Sequence, residues 1–590
     1  MININYQKKR NTDLFKRFEL PTSLFASNTQ NYIPIYTRFF NLNETNFNSI
    51  NLQNKYYITD IIQQDENNDD TFMCNIKNTE TNKIKKTNVF FKMAPLLDPY
   101  KYMIGKYDIS STKTFELPKL KSTNEDCEAK LLDVNNSAYV DSFFLFLISQ
   151  LRENFNFIHG VSYYASFLSL KNDFKVNIFD DIDYLNNSDF FMKHKNKLFQ
   201  VDDYEYLFND QTPKLQPIKI GHNVSLSSLK SIDNTAFEDI FTEDPVQFGE
   251  SELCEITNIE NMNDVCNKDM SLKSNSTCSS RSSHTHSNEE MDSESETEWE
   301  SESESESDER GELDDVKSDD DEDLEDLYDE DDDIVIEATL PKFPVQIIAM
   351  EKCENTLDYL ILKNVLFLDE WQSALMQIIM TLITYQKAFN FTHNDLHTNN
   401  IMYINTDEEY IHYVYKKKTY QVPTFGRIYK IIDFGRSIFK FNGKLFCSDS
   451  FKQGGDAASQ YNIEPYFDDK KPRLEPNPSF DLCRLACSIF DYLVDDFDEI
   501  KDINKITDPV KKLIVEWCLD DKGVNLLYKT NGVERYPEFK LYKMISRCVH
   551  NHTPHSQLER PEFDKYSKIF DNSKLTDNSI IIDIDSIPAF

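Results

Sequence analysis

Apolar residues recur along this chain in two different periods. Between Asp369 and Phe391, the positions Trp371, Leu375, Ile378, Ile379, Leu382 and Ala388 fall at helical spacing. That spacing places them on one face and predicts a buried helix. Ile401, Met402 and Ile404, and later Ile431 and Ile432, form runs too short for a helix and read as short buried strands. VFFKM, ending at Met93, closes a longer β-rich apolar run. YIHYVYKKKTYQVPTFGRIYKIID, from Tyr410 to Asp433, predicts an additional β-hairpin. From Cys278 to Asp333 the apolar pattern vanishes, as serine-rich sequence gives way to alternating Ser-Glu and then to Asp-rich sequence. Such a stretch cannot bury enough apolar surface to offset its ordering entropy, so disorder is expected there.

The two short strands frame the most informative sequence. FTHNDLHTNNIMYI places His393, Asp395 and Asn400 together, and KIIDFGRSIF supplies Asp433, Phe434 and Gly435. An H-x-D-x-x-x-x-N run upstream of D-F-G is far more specific than a lone D-F-G. It suits phosphoryl transfer, which needs few protein groups: a carboxylate to orient a hydroxyl, and an amide oxygen and second carboxylate for Mg²⁺. The plainer alternative is a polar turn beside two core strands.

On these residues the chain resembles the eukaryotic-like protein kinase superfamily. The resemblance implies an α+β, bilobal fold, with a small β-rich N-lobe and a mostly helical C-lobe. It implies ATP and Mg²⁺ as cofactors, and Ser or Thr of a protein as acceptor. Asp395 would be the catalytic base, and Asn400 and Asp433 the metal ligands. Lys92 of VFFKM would hold the α- and β-phosphates, unless it is a surface lysine at a strand end. Its acidic partner would be Asp141, in the helix SAYVDSFFLFLISQL, with Glu128 and Glu116 as fallbacks. The family uses glutamate there, and Asp141 could equally be a helix-surface residue. In VQIIAMEKCENTLDYL, Met350 would be the gatekeeper, and Glu351 and Cys353 would offer backbone groups to adenine. SFDLCRLACSIFDYL is similar to the central C-lobe helix, with Asp481 bracing the catalytic loop, and Arg560 is similar to the late C-lobe arginine. The loop wording, the VFFKMAPLLDP segment and the Asn-, Ile-, Lys- and Tyr-rich composition resemble divergent Ser/Thr kinases of amoeba-infecting giant viruses.

Departures are equally informative. No glycine occurs between Tyr56 and Lys92, where a glycine-rich loop should let backbone amides approach the phosphates. The turn there reads IIQQDENNDD, whose acids repel phosphate. Asn394 stands where many regulated kinases carry an arginine, so no switch based on pairing that arginine with a phosphate is expected. His397 stands where a phosphate-touching lysine is usual; a structural role is the alternative. A-P-E is reduced to Glu464-Pro465. Two other readings therefore stand beside the kinase. One is a pseudokinase scaffold with an acidic interaction arm. The other is a small-molecule kinase of aminoglycoside or choline type, suggested by the D-L-H wording.

The expected organisation is an N-terminal extension over 1–50 and a kinase-like domain over 51–590. Its N-lobe would take in about 51–170 plus 343–352, and its C-lobe about 353–590. An insertion over about 171–342 would contain the disordered tract, about 278–333. The net charge of −39 is uneven: Asn288 to Asp333 holds 27 acids against Arg310 and Lys317. That tract could bind a basic protein. Ser301, Ser303, Ser305 and Ser307 within it would suit an acid-directed kinase. Nucleic acid is disfavoured as a partner, since phosphate contact needs clustered Lys and Arg. The 11 cysteines include no C-x-x-C pair. No apolar run reaches membrane-span length. A soluble intracellular protein is expected, in the host cytoplasm or packaged in the particle if viral.

Overall fold

A computed structural model describes residues 2–204, 335–568 and 580–590, except positions 67, 495, 530, 531 and 538. The acidic tract and its serines lie outside the described residues. The fold is mixed α+β, with several sheets packed against helices.

The largest sheet is antiparallel. Its strands run, in order, Ala26–Gln30, Tyr163–Asn177, Glu337–Glu351, Ile84–Pro95, Thr71–Asn78 and Tyr56–Gln64, and Gln200–Val201 pairs the start of Glu337–Glu351. Glu337–Glu351 is central and buried without a break from Phe343 to Met350, which explains the apolar run Ile347, Ile348, Ala349, Met350 at its end. Its register puts Ile348 opposite Lys92, and Met350 opposite both Phe90 and Tyr163.

Two expected boundaries move. Tyr163–Asn177 and Glu337–Glu351 stay paired out to Asn177 opposite Glu337, so the ladder continues past the expected edges at 171 and 342. The first fifty residues contribute a strand to this sheet, Ala26–Gln30 at its edge beside Tyr163–Asn177, while Tyr6–Lys8 pairs Ile50–Leu52 in a separate two-stranded sheet. ASNTQ is polar and does not alternate. It is a strand because a neighbouring ladder has hydrogen bonds to offer.

The helix Ser137–Phe155 starts at Asn136, whose side chain accepts from the Ala138 N–H at 3.1 Å, and stops at Asn156 in the left-handed region. It is buried from Ala138 to Leu151. Phe144 fastens it to the rest of the core: its ring lies 4.4 Å from Phe391, 4.7 Å from Phe439 and 4.8 Å from Phe434, between centroids. The periodic segment expected near 369–391 is the helix Leu368–Phe389, with Trp371, Leu375, Ile378, Ile379, Leu382 and Ala388 all buried. Glu370 reaches back to the Phe367 N–H at 2.9 Å to cap it.

Ile401–Asn405 and Arg427–Ile431 pair antiparallel, with Asn355–Thr356 at the edge. Between them Tyr410–Tyr415 and Lys418–Pro423 form a hairpin, which occupies only the first part of the expected segment because Arg427–Ile431 turns away to pair Ile401–Asn405. Its two-residue turn, Lys416-Lys417, has φ of 50° and 61°, where glycine or asparagine is normal. Asp585 compensates, accepting from both turn N–H groups at 2.8 Å. Ile580–Asp583 adds a parallel third strand to this hairpin. Among the described residues no helix is long and apolar enough to cross a membrane.

Candidate functional site

Three distant segments meet at Lys92. Its Nζ donates to Asp141 Oδ2 at 2.7 Å and to Asp433 Oδ1 at 3.0 Å. The side chains are 13%, 5% and 13% exposed in that order, so the cluster is nearly dry. Burial alone would neutralise Lys92, but Asp141 and Asp433 outweigh it and raise its pKa. Lys92 cannot serve two carboxylates equally. Burial and the Asp433 charge raise Asp141, whereas at Asp433 the pull of Lys92 outweighs burial. Asp141 Oδ1 also accepts from the Phe434 N–H at 2.8 Å, so one carboxylate ties the lysine to the D-F-G backbone. Glu128 and Glu116 lie at the ends of short helical turns, away from this cluster.

The loop His393–Asn400 is fixed from below. Asp481, fully buried on the helix Phe480–Leu493, accepts from the His393 N–H at 3.1 and 2.9 Å and from the Asn394 N–H at 3.0 Å. His393 Nδ1 accepts from the Asp395 N–H at 3.3 Å, which leaves Nε2–H to donate to Ile432 O at 2.9 Å. One imidazole thus links the loop to the strand end before Asp433. Asn400 Nδ2 donates to Asp395 O at 2.9 Å, an arrangement that leaves the amide oxygen for a cation.

Asp395 is held by side chains that its own segment does not announce. Tyr542 donates to its Oδ1 at 2.6 Å, and Arg436 Nη1 lies 3.5 Å from Oδ2. Burial would raise its pKa, but Arg436, His397 and Arg484 hold it far below the usual carboxylate range. His397 is neutral at physiological pH, since burial pushes its pKa down to about 4, so it brings no charge to a phosphate. Asn394, with φ of 65°, donates to Arg436 O at 3.0 Å and accepts from Tyr461 at 2.7 Å. Where a phosphate-binding arginine was absent from the sequence, neutral hydrogen bonds fasten the segment after Gly435.

Met350 and Cys353 are buried at the end of the central strand and just beyond it. Glu351 gives its N–H to Ser162 O at 2.9 Å, so its carbonyl is the group it could offer a base. Its carboxylate binds Lys430 at 2.8 Å, Arg152 at 3.0 Å and the Ser162 N–H at 3.0 Å. Among the described residues nothing accepts from the Cys353 N–H.

The turn between Tyr56–Gln64 and Thr71–Asn78 closes on itself. Asn68 Oδ1 accepts from the Asp70 N–H at 3.0 Å and the Thr71 hydroxyl at 3.1 Å, and the Asp65 N–H reaches Thr71 O at 2.8 Å. The Asp65, Asp70 and Thr71 N–H groups, donors of the kind a glycine-rich loop would present outward, are used within the turn. Arg560 pairs with Glu516, while Glu464 is exposed and bound to Arg473, so the A-P-E remnant does not meet Arg560.

Among the described residues no cluster of three or more His, Cys, Asp or Glu side chains could hold a metal. Asn400 and Asp433 nevertheless suit Mg²⁺, which is commonly held by one or two protein oxygens together with water and substrate phosphates. Sequence reasoning missed Tyr542, Arg436 and Arg484, which lie 147, 41 and 89 positions from Asp395 and carry no motif. Only Arg436, directly after D-F-G, left a readable signal.

No family model matches this chain. The chain is similar to a protein of Acanthamoeba polyphaga mimivirus described as a "putative serine/threonine-protein kinase", at 30% identity over 189 residues. That alignment takes in 27% of this chain and 43% of the viral protein, so the chain spans less than half the length of this relative, and the relationship it establishes is to a kinase-like protein over part of its length.

Proposed function

We propose that this chain is a divergent, Mg²⁺-dependent protein kinase that transfers the ATP γ-phosphate to Ser or Thr of a protein. The observation that carries the reading is Lys92, held 2.7 Å from Asp141 and 3.0 Å from Asp433. Nothing in ordinary packing requires a buried lysine between two buried acids, and such a cluster is costly without a task. A cation poised beside Asp433 can neutralise phosphate charge. Asp433 and Asn400 would hold Mg²⁺, which screens the negative charge of the transferring group. Asp395, kept ionised, would orient the acceptor hydroxyl. The Glu351 carbonyl and the Cys353 N–H would meet adenine below Met350. The fold proposed with this reading is bilobal, the large sheet forming one lobe and the helices around Phe480–Leu493 the other. A soluble intracellular setting and a basic protein partner for the acidic tract belong to the same proposal.

One feature favours a pseudokinase scaffold as the second reading: the glycine-free turn, in which the Asp65, Asp70 and Thr71 N–H groups are bonded internally. The experiment that separates the two is phosphate transfer from labelled ATP with Mg²⁺ to the protein itself, casein and histones. Transfer that disappears in both Asp395→Asn and Asp433→Ala supports the kinase. A folded protein that binds no nucleotide supports the scaffold. Nucleotide binding without transfer to protein directs the search to small alcohols and amines.

A further inference from the structure

We propose that Tyr542 is the positioning residue that fixes which oxygen of Asp395 faces the acceptor. The assignment rests on the kinase reading above. Tyr542 lies on the helix Lys540–Cys548, is 3% exposed, and donates its hydroxyl to Asp395 Oδ1 at 2.6 Å. The helix is tied to the segment after D-F-G, through the Ser546 hydroxyl to Gln460 O at 3.2 Å and Arg547 Nη2 to Ser459 O at 3.0 Å.

A hydroxyl in this place could do one of two things. It could imitate an acceptor and block the site, or it could hold the carboxylate for one. The packing decides between them. The Tyr542 ring is stacked on Phe539 at 5.2 Å and lies 6.3 Å from Phe480. The guanidinium carbons of Arg484 and Arg436 lie 5.1 and 5.8 Å from its centre. A ring enclosed by two aromatic rings and two cations does not leave without exposing all of them to water. Burial also raises its pKa to about 12, so the hydroxyl remains a donor at any physiological pH.

With Oδ1 engaged, rotation of the carboxylate is stopped, and Oδ2, whose ion-pair contact is to Arg436 at a long 3.5 Å, is the oxygen that receives an acceptor. The acceptor hydroxyl donates to Oδ2. As its oxygen bonds to the γ-phosphorus and the bond from that phosphorus to ADP breaks, the acceptor proton passes to Oδ2. Tyr542 keeps its own proton throughout. Arg436, 3.5 Å from Oδ2, keeps Asp395 anionic until that moment.

The test is Tyr542→Phe in the full chain, which keeps the ring and removes only the donor. A hydrogen bond to a charged group is commonly worth about ten- to a hundredfold in an equilibrium or rate, and kcat is expected to fall by about that factor. KM for ATP should stay within about twofold, because nucleotide contacts are untouched. Adding Tyr542→Phe to Asp395→Asn should cost little more than Asp395→Asn alone. An unchanged or faster Tyr542→Phe enzyme beside an active wild type overturns the assignment and leaves the kinase reading standing. So does a slower enzyme in which the losses from Tyr542→Phe and Asp395→Asn simply add. A wild type that transfers phosphate to no acceptor overturns the kinase reading, and this assignment with it.

Discussion

The loop His393–Asn400 and the turn Asp65–Asp70 both carry acids, yet the fold treats them differently. The loop is fastened by residues from three other segments: Asp481 to its backbone, Ile432 to its histidine and Tyr542 to its aspartate. The turn draws on its own Asn68 and on Thr71, with further bonds from the Phe91 N–H to Asp70 O at 2.8 Å and from Gln64 Nε2 to Asp69 O at 3.0 Å and Oδ1 at 3.2 Å. Burial pushes the Asp70 carboxyl up to about 6, while the charges around Asp395 push that carboxyl down. Charge in the loop is therefore stabilised by construction, and charge in the turn is tolerated. A group that must stay ionised for chemistry receives partners. At Asp70 the charges of Lys171 and Lys175 do not outweigh burial.

This contrast can be broken at several points. Asp395→Asn and Asp433→Ala are expected to lower phosphate transfer by about a thousandfold or more, since each removes a group engaged in the transition state. Measuring turnover together with nucleotide binding separates loss of chemistry from loss of substrate. Phe144→Ala should come next. It removes a ring packed on four segments, should destabilise the fold by about 3–5 kcal/mol, and should reduce transfer because Asp141 shares its helix. Denaturant unfolding gives the first quantity. If stability falls but transfer does not, helix position and the Lys92 cluster are independent.

The smallest effect is expected in the turn. A carboxyl whose folded pKa is raised above its unfolded value contributes stability at low pH that is lost as pH rises through the folded value. For Asp70 that window lies between about 4 and about 6. Asp70→Asn should therefore raise the melting temperature slightly at pH 7.5 and leave it unchanged near pH 4. A gain at both pH values, or at neither, would mean that the turn's charge is not what costs stability.

Legibility in the sequence followed the range of the interactions. The helix at Leu368–Phe389 and the hairpin at Tyr410–Pro423 were readable because each period is repeated within one segment. The His393–Asn400 and Asp433–Gly435 loops were readable because their spacing is local. Asp141 could be named only as one of three acids, and it took the helix Ser137–Phe155 to choose it. Ala26–Gln30 was not readable as a strand, since its own residues do not ask for one. Tyr542 was invisible for a related reason: its role exists only once two segments far apart in the chain are brought together. The Lys416-Lys417 turn makes the same point in reverse, because Asp585 supplies from a distance what the local sequence lacks.

The carboxylate of Glu351 joins Lys430, which is wholly buried, to Arg152 and to the Ser162 backbone. These partners sit on a strand, a helix and a turn from separate parts of the chain. Their attraction outweighs burial and holds Glu351 below the usual glutamate range. The consequence is kinetic. Any breathing of the central strand relative to the Arg427–Ile431 strand must strip a sheltered ion pair, which ionic strength screens poorly.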